Sequence, residues 1–233
     1  MSSTVRMPPP DVWGVGRVVV AGEMVPWPVS PADIDAETGS QTMSLRRLGV
    51  REGDVVVICS KLSEAIHAFP LESAANALGA RYSSTDATEF DAFRTAAMIE
   101  QVSPSVVIGV NGEVVAGLRA LGRDIHDVFA PVAVVATVDD DAHGALSAAG
   151  LAPRRWVKLG PTSAFECEAR DGAHFDGSRW RIDADGDGGL AISVLVPALT
   201  PCDGFELGLK GMVDPTGCAC GSDDPRVRLR SPL

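Results

Sequence analysis

Short strand-forming runs, most of them apolar and β-branched, recur along the first two-thirds of this 233-residue chain. We predict strands at 18–21, 55–59, 80–83, 105–110, 131–138 and 155–159. Helical signals fill the intervals, and we predict helices at 30–47, 61–78, 87–102, 112–121 and 140–149. Strands that alternate with helices imply right-handed crossovers and a sheet covered on both faces. The predicted fold class is therefore α/β, with a mostly parallel sheet and flanking helices.

The alternation of predicted strands and helices ends in the last third of the chain. There, the runs 178–183 and 189–196 flank a stretch rich in Asp-Gly pairs, which predicts an antiparallel hairpin. We therefore divide the chain into an N-terminal tail (1–16), an α/β core (17–160) and a small, antiparallel, β-rich region (161–233).

Charge and hydropathy argue against two classes of partner. The formal net charge is −11, and the few clustered arginines (Arg46, Arg47 and Arg51) do not make the basic face that binds nucleic acid. No apolar run approaches the roughly 20 residues that span a bilayer, and the N-terminus lacks the apolar core of a signal peptide. We expect a cytoplasmic protein with neither a nucleic-acid nor a membrane partner.

Four residues of the β-rich region carry the donor set of a metal site. Cys167 and His174 form a Cys-x6-His pattern, and Cys218 and Cys220 follow as Cys-x-Cys-Gly. Three thiolates and one imidazole match a closed tetrahedral zinc site, and this clustering is notable in a chain with only five cysteines and four histidines. Four protein ligands leave no coordination position for water, so the predicted zinc is structural.

Two signatures of catalysis are weak or missing. Ser63, Glu64 and His67 share one predicted helix, but a nucleophile and its base usually come from separate elements, so we predict a solvated helix face. No GxxxxGK[ST] loop occurs, and no GxGxxG follows a strand. Segment 22–28 is apolar and proline-rich with one acid, which is the opposite of a phosphate-binding loop.

At this point several motifs resemble the phenylacetate–CoA ligase branch of the adenylate-forming, acyl-CoA synthetase-like enzymes. The motifs are Glu166-Cys167, Gly172-Ala173-His174, Cys218-Ala219-Cys220-Gly221, SPADIDA (30–36) and LGVREGDVVVI (48–58). They look like that branch's Glu-Cys, Gly-x-His, Cys-x-Cys-Gly, Thr-x-x-Asp-Ile and Gly-Val-x-x-Gly-Asp elements. The resemblance runs from about residue 18 to 228. It implies an acyl-CoA ligase fold, and in several members the same Cys and His residues bind structural zinc.

The chain departs from this branch at the motifs that hold ATP. AGEMVPWP (21–28) stands in place of the Ser/Thr/Gly phosphate loop, and LGPTSA (159–164) in place of Tyr-Gly-x-Ser/Thr-Glu, whose Glu helps hold magnesium. FELGLKGMV (205–213) lacks the ribose-binding Asp, and residues 135–137 replace a Gly-Gly-Glu strand end. We also expect the family's C-terminal domain, with its catalytic lysine, to be absent. Charged hydrogen bonds contribute about 1.5–3 kcal/mol each, so the loss of several predicts that ATP does not bind.

The predicted function is that of a degenerate, zinc-stabilised ligase-like pseudoenzyme that does not adenylate by itself. We expect it to bind an acyl or aryl acid, a CoA thioester or a partner enzyme. In an α/β sheet the default ligand site is the crevice at the carboxyl ends of the strands. The candidate cleft residues are Ser60, Lys61, Ser83, Ser84, Asn111 and Thr137.

Three alternatives stay open, so the sequence does not decide whether the chain is an enzyme. The first is an enzyme that reuses the cleft for acyl chemistry in a specialised biosynthetic pathway; its hallmark is a polar cluster with perturbed pKa values. The second is an adenylate-forming ligase half that a second chain completes. The third is a structural subunit that uses an exposed apolar surface for homo- or hetero-oligomerisation.

Overall fold

A computed structural model describes residues 11–230, which contain thirteen strands, six α-helices and two 3-10 turns (Leu62–Glu64 and Glu89–Asp91). The strands are β1 (Gly14–Val20), β2 (Glu23–Val29), β3 (Val55–Cys59), β4 (Arg81–Thr85), β5 (Val106–Val110), β6 (Val134–Thr137), β7 (Arg154–Leu159), β8 (Thr162–Glu166), β9 (Ala173–His174), β10 (Trp180–Ala184), β11 (Gly189–Val194), β12 (Phe205–Asp214) and β13 (Arg226–Leu229). The helices are α1 (Pro31–Arg47), α2 (Ala65–Ala77), α3 (Ala92–Val102), α4 (Gly112–Ala120), α5 (Ile125–Phe129) and α6 (Asp140–Ala148). Of the predicted tail 1–16, residues 1–10 lie outside the described part, and Gly14 already begins β1.

Eleven strands form one mixed sheet, in the order β10-β11-β12-β13-β9-β8-β7-β6-β5-β3-β4. The four pairs among β3 to β7 are parallel, and the six pairs that lead from β7 to β10 are antiparallel. The α/β class is confirmed, but the prediction of a mostly parallel sheet is wrong. The antiparallel part continues the parallel part without a break, because β7 pairs with β6 on one side and with β8 on the other. The division at residue 160 stays a prediction.

Helices cover both faces of the parallel half. Every residue of β3 and β5 is buried, as expected for apolar strands with helices on both sides. Leu45 of α1 and Leu71 of α2 are fully buried against one face, and Leu118 of α4 and Phe129 of α5 against the other. Burial of a side chain of this size contributes about 1.5–3 kcal/mol. In residues 11–230, no helix has the length and apolarity needed to cross a membrane.

The predicted start of α1 is confirmed in detail. Ser30 accepts a hydrogen bond from the Asp33 backbone N–H, and the Asp33 carboxylate accepts one from the Ser30 backbone N–H (2.9 Å). This capping box satisfies two backbone N–H groups at the helix N-terminus. Asp33 also forms a buried ion pair with Arg179 (3.0 Å), which ties the start of α1 to the antiparallel half.

The predicted hairpin of the last third is also confirmed, as β10 and β11. Inward-facing side chains of the antiparallel strands form a separate core, in which Leu159 and Ile192 are fully buried. Each half of the sheet therefore has its own apolar core, and the metal ligands belong to the antiparallel half.

Residues 14–29 form an antiparallel hairpin outside the main sheet, so the prediction that 18–21 is a strand of that sheet is wrong. Its turn is Ala21-Gly22, and both residues have positive φ (49° and 83°), as hairpin turns of type I′ require. Pro26 and Pro28 lie in β2, a position that proline tolerates because the hairpin strand is not central. Val18 and Trp27 fix the hairpin to the body of the protein through a small fourth core.

Candidate metal centre and ligand pocket

The four predicted metal ligands come together in the structure. One donor atom from each of Cys167, His174, Cys218 and Cys220 lies within 4.8 Å of all the others, so the cluster could hold a metal ion. Cys167 and His174 are buried, and the two cysteines of the Cys-x-Cys turn are half-buried. The cluster joins β8 and β9 to the turn before β13, which are about 50 residues apart in the chain.

The distances within the cluster fit a tetrahedral ion. The Sγ atoms of Cys167 and Cys218 are 3.6 Å apart, and Cys220 Sγ is 3.5 Å from His174 Nε2. Zinc–sulfur bonds of about 2.3 Å and zinc–nitrogen bonds of about 2.0 Å place tetrahedral donors roughly 3.5–3.8 Å apart. These two separations match a four-coordinate site, and the remaining ones, all within 4.8 Å, leave room for one small ion.

The imidazole of His174 is held in the tautomer that a metal needs. Its Nδ1 lies 3.0 Å from the backbone oxygen of Asp224, so Nδ1 carries the proton and donates it to that carbonyl. Nε2 is then unprotonated and faces Cys220. Metal-binding histidines usually donate their second nitrogen to a carbonyl or carboxylate in this way. The Asp224 side chain is in turn paired with Arg47 of α1.

An ion-pair network supports the loops that carry the ligands. The Arg226 side chain is almost fully buried and donates to Asp171 (2.7 Å) and Asp214 (2.8 Å). Arg228 donates to the same two carboxylates, at 2.9 and 2.8 Å. Asp171 precedes the ligand His174 by three residues, so the network fixes one ligand loop against β12 and β13. The positive charge of Arg226 also acts on the Cys218 thiol.

The cysteine side chains differ in their protonation when no ion is bound. Burial raises the pKa of the Cys167 thiol to about 11. Burial also acts on Cys218, but hydrogen bonds from Cys220 and Cys167 outweigh it and lower the pKa of that thiol. A bound cation deprotonates coordinating thiols, so occupation of this cluster releases protons.

An apolar pocket of about 390 Å³ lies beside the 3-10 turn that precedes α2. Two half-exposed aromatic rings, Trp13 and Phe69, form one wall, with their centroids 4.8 Å apart. The rest of the lining consists of three apolar residues, Leu62, Ala65 and Ala68, and six polar ones, Ser60, Lys61, Glu72, Ser84, Thr85 and Asp86. A concave surface that combines aromatic and apolar side chains with polar groups is typical of small-molecule sites.

The structure brings only three of the six predicted cleft residues to this pocket. Ser60, Lys61 and Ser84 line it. Ser83 points to the opposite face of β4, where its hydroxyl contacts Met98 Sδ at 3.4 Å, because successive residues of a strand alternate between faces. Ser83 and Ser84 also lie within β4 rather than after it.

The other two predicted cleft residues, Asn111 and Thr137, form hydrogen bonds to backbone groups. The buried Asn111 amide accepts from Val114 N–H at the start of α4 and donates to the Ala87 carbonyl, both at 2.9 Å. The Thr137 hydroxyl donates to the Arg154 carbonyl at 3.2 Å. These side chains hold the edge of the sheet together and are not part of the pocket.

Segment 21–28, for which we predicted the replacement of a phosphate loop, is part of a tight turn and a strand. The ladder between β1 and β2 runs up to the pair Val20 and Glu23, which leaves only Ala21 and Gly22 in the turn. The far side of the turn is also filled, since a Cβ atom at Gly208 of β12 would lie 2.6 Å from Ala21 N. No multi-residue loop with free N–H groups exists in residues 14–29.

The prediction that Ser63, Glu64 and His67 lie on a solvated helix face is wrong for His67. Its imidazole is buried edge-on to Trp156 (6.4 Å between centroids), and burial, assisted by the Lys158 charge, lowers its pKa to about 3. Glu64 forms an ion pair with Lys158 (2.5 Å), whose ammonium lies 5.0 Å above the Trp156 ring. Sequence reasoning missed this cluster because its two halves come from α2 and β7.

Comparison with solved structures identifies the fold. The open conformation of 2-hydroxyisobutyryl-CoA ligase, in complex with 2-HIB-AMP and CoA, matches with a TM-score of 0.76 at 14% identity, over 95% of this chain and 57% of the ligase. An anthranilate CoA ligase in complex with anthranoyl-AMP matches with a TM-score of 0.60 at 14% identity, over 93% of this chain and 47% of the ligase. No protein-family model matches the chain, and no curated protein matches its sequence.

The chain has the fold of an acyl-CoA ligase. It spans about half the length of the ligases that it matches. The expected likeness to adenylate-forming acyl-CoA ligases is thereby confirmed at the level of fold. At 14% identity the match does not extend to substrate or activity.

Proposed function

We propose that this chain is a zinc-stabilised, acyl-CoA ligase-like protein of the phenylacetate–CoA ligase branch, which binds an acyl or aryl group but does not adenylate it. The β1–β2 turn carries this proposal. A phosphate cradle consists of several consecutive backbone N–H groups that point at one anion. A two-residue turn between paired strands does not offer them.

The apolar pocket is the proposed acyl or aryl site. Its aromatic wall of Trp13 and Phe69 suits a planar or branched apolar group, and its volume of about 390 Å³ suits a group of the size of a phenylacetyl moiety. Lys61 and Ser60 line the same space and are the proposed donors to a carboxylate or a thioester carbonyl, whereas the Ser84 hydroxyl already donates to Glu72 (2.6 Å). Free acid, CoA thioester and carrier-bound acyl group share this chemistry.

Zinc is the proposed occupant of the metal cluster. Four protein ligands fill its coordination shell, so it supplies no open position for catalysis and acts as a cross-link between β8, β9 and the turn before β13. Such a cross-link would hold the turn at 215–225, which carries Cys218 and Cys220, in a fixed position.

Calorimetric titration of the zinc-loaded protein with Mg·ATP tests the central claim. We expect no binding at millimolar concentration, because the electrostatic contacts to the phosphates are missing. Binding at micromolar strength contradicts the proposal and favours the alternative in which a second chain completes an adenylating enzyme.

A second titration, with phenylacetyl-CoA, tests the pocket. Phe69→Ala should weaken binding roughly tenfold, since it removes one of the two rings that form the wall. Phe90→Ala is the matched control, because Phe90 is a highly exposed phenylalanine that does not line the pocket. Equal effects of the two substitutions would exclude the pocket as the binding site.

One observation favours an enzyme that reuses the cleft for acyl chemistry. Glu64, His67 and Lys158 form a polar cluster with a perturbed pKa on the inner side of α2, the helix that also carries Phe69 and Glu72 of the apolar pocket, although none of the three lines that pocket. If it is correct, the protein hydrolyses or transfers acyl groups from phenylacetyl-CoA, and Lys158→Gln abolishes turnover while the melting temperature falls only slightly. The absence of turnover in wild-type protein leaves the binding function.

Exposed side chains favour a partner protein or a second copy as a further ligand. Leu62 and Phe90 are 93% and 89% exposed on the 3-10 turns that follow β3 and β4. Sedimentation of the wild-type protein and of the Leu62→Ser, Phe90→Ser double variant tests self-association. A monomer in both cases excludes the homo-oligomer. The cytoplasmic location stays a prediction.

A further inference from the structure

A second groove, also of about 390 Å³, lies between the first turn of α6 and strands β7, β9 and β13. Its floor is apolar and consists of Val157, Ala173, Val227 and Leu229, which belong to or pack against the core of the antiparallel half. Its rim is charged, with the arginines Arg155, Arg170, Arg228 and Arg230 and the acids Asp140, Glu166 and Asp171. We call it the arginine groove.

The charge of the arginine groove is opposite to that of the chain. The protein carries 20 basic and 31 acidic residues, yet the rim holds four arginines against three acids. Two of the acids pair with arginines of the rim, Asp140 with Arg155 (2.6 Å) and Asp171 with Arg228 (2.9 Å), and Arg228 also pairs with Asp214 (2.8 Å). The third acid, Glu166, accepts from the Arg155 backbone N–H (2.9 Å), so the rim side chains carry an excess of one positive charge. A local excess of positive charge in an acidic protein attracts anions to one place.

The remaining two arginines are not neutralised by an acid. Within residues 11–230, neither Arg170 nor Arg230 forms an ion pair. Arg170 donates to the Ala152 carbonyl at 2.5 Å, which positions the guanidinium but leaves its charge uncompensated. The Arg228 Nε is buried and has no hydrogen-bond partner in the same part of the chain. The groove therefore contains donors and positive charge that the protein itself does not use.

The backbone at Arg170 adds an independent argument. Its φ is 53°, in the left-handed region that glycine adopts freely and that a bulky side chain adopts at a cost. The same loop has a glycine two residues later, Gly172. An arginine at a position suited to glycine indicates that its side chain has a use, and that use is on the rim of the groove.

We propose that the arginine groove binds a phosphate monoester whose organic part lies on the apolar floor. A phosphate monoester carries nearly two negative charges at neutral pH and three terminal oxygens. Arginines that approach from β7, β13 and the loop before β9 match this group better than they match a planar carboxylate, because they point at it from several directions. The groove shares no lining residue with the apolar pocket, so this site is separate from the proposed acyl site.

The ester has two chemical sources, and calorimetry separates them. The probes are CoA, dephospho-CoA, which lacks only the 3′-phosphate monoester, and glucose 6-phosphate as a free phosphate ester. A preference of at least tenfold for CoA over dephospho-CoA supports the proposal with a CoA-type nucleotide as the ligand. Binding of glucose 6-phosphate with no preference for CoA supports it with a free phosphate ester.

Two variants assign the binding to the groove. Arg170→Gly removes a guanidinium and relieves the left-handed strain, so the protein should melt no lower than wild type while binding weakens roughly tenfold or more. Arg230→Gln changes an exposed side chain and should weaken binding without loss of fold. Arg17→Gln, an exposed arginine of the β1–β2 hairpin, is the control and should bind as wild type does. The proposal is wrong if no phosphate-bearing probe binds below about 10 mM, or if all three variants bind equally well.

Discussion

The metal cluster and the carboxyl edge of the parallel strands both carry polar side chains, but they differ in what those side chains bind. At the edge, the side chains of Asn111 and Thr137 hydrogen-bond to backbone groups of neighbouring elements, and the Thr137 hydroxyl also contacts His143 Nδ1 (3.1 Å). In the cluster, three thiols and the His174 Nε2 point at one another, and no backbone or carboxylate competes for that nitrogen. Polar residues thus mark a site only where their donors converge and stay available for a ligand.

The two halves of the main sheet differ in the same way. The parallel half has a large apolar core between two layers of helices, and the Ala21-Gly22 turn lies outside its sheet. The antiparallel half contains four side chains that could hold a metal ion, together with the Asp224 carbonyl and the Arg226 network that orient them. Apolar packing therefore dominates one half, and polar cross-links dominate the other.

The largest predicted effect concerns the metal cluster. Metal analysis of untagged protein should find about one zinc per chain, and Cys218→Ser should lower the melting temperature by roughly 6–12 °C, which corresponds to about 3 kcal/mol for a chain of this size. Cys202→Ser is the matched control, because Cys202 is a half-buried free cysteine outside the cluster. A stable wild-type protein without metal, or equal effects of both substitutions, would refute a structural zinc.

The metal ligands could be predicted from the sequence, whereas their supports could not. Cysteine and histidine are rare in this chain, so the spacing of Cys167, His174, Cys218 and Cys220 is informative by itself. The Asp224 carbonyl is a backbone group that any residue would supply, and only the pairing of β9 with β13 brings it to His174. Long-range strand pairing of this kind leaves no local signal.

In the hairpin and in the cleft, the sequence pattern led to expectations that the fold corrects. Prolines at 26 and 28 argue against a strand, yet β2 accommodates them because it belongs to a two-stranded hairpin. In the cleft, the positions directly after the predicted strands gave six candidates, and three of them line a pocket. Strand parity and backbone capping, which decide where Ser83 and Asn111 point, become visible only in the fold.

The next prediction tests whether Asn111 is structural. Asn111→Ala removes the cap of α4 and leaves the Ala87 carbonyl without its donor, so stability should fall by about 2–3 kcal/mol. Asn111→Asp retains an acceptor for Val114 N–H and should lose less. Denaturant unfolding measures both, and titration with phenylacetyl-CoA should give an unchanged affinity. Loss of affinity at unchanged stability would instead support the prediction that Asn111 is a ligand-binding residue of the cleft.

Glu37 of α1 sharpens the comparison, because it is a buried acid whose surroundings do not form a site. Its Oε1 accepts from Thr162 (2.8 Å) and Gln41 (2.9 Å), but Oε2 has no hydrogen-bond partner in residues 11–230. Burial raises the pKa of this carboxyl above its ordinary value of 4.5, and the two hydrogen bonds only partly offset that rise. A buried carboxylate oxygen without a hydrogen-bond partner costs stability, even though the Arg179 charge offsets part of the rise in pKa.

Glu37→Gln should therefore stabilise the protein at pH 7, by about 1–2 kcal/mol. A carboxyl with a higher pKa in the folded than in the unfolded chain binds its proton more tightly when folded. The stability of the wild type is then greatest below pH 4.5 with respect to this group and falls as pH rises toward the folded pKa. The advantage of the variant should grow over the same range, whereas the exposed Glu52→Gln should show no such trend. An advantage that shrinks with rising pH would contradict the assignment.

The smallest predicted effect belongs to the ion pair between Lys61 and Glu113, which spans the carboxyl edge at 2.5 Å. The hydrogen bond and charge of Glu113 raise the pKa of Lys61, but both side chains are close to half exposed, so solvent screens their attraction. A double-mutant cycle with Lys61→Gln and Glu113→Gln should give a coupling of about 0.2–1 kcal/mol that disappears in high salt.

Because Lys61 also lines the apolar pocket, Lys61→Gln should weaken binding of phenylacetate, while Glu113→Gln should leave it unchanged or strengthen it by freeing the ammonium. If both substitutions reduce binding equally, the pair itself shapes the pocket, and Lys61 is a structural residue like Asn111.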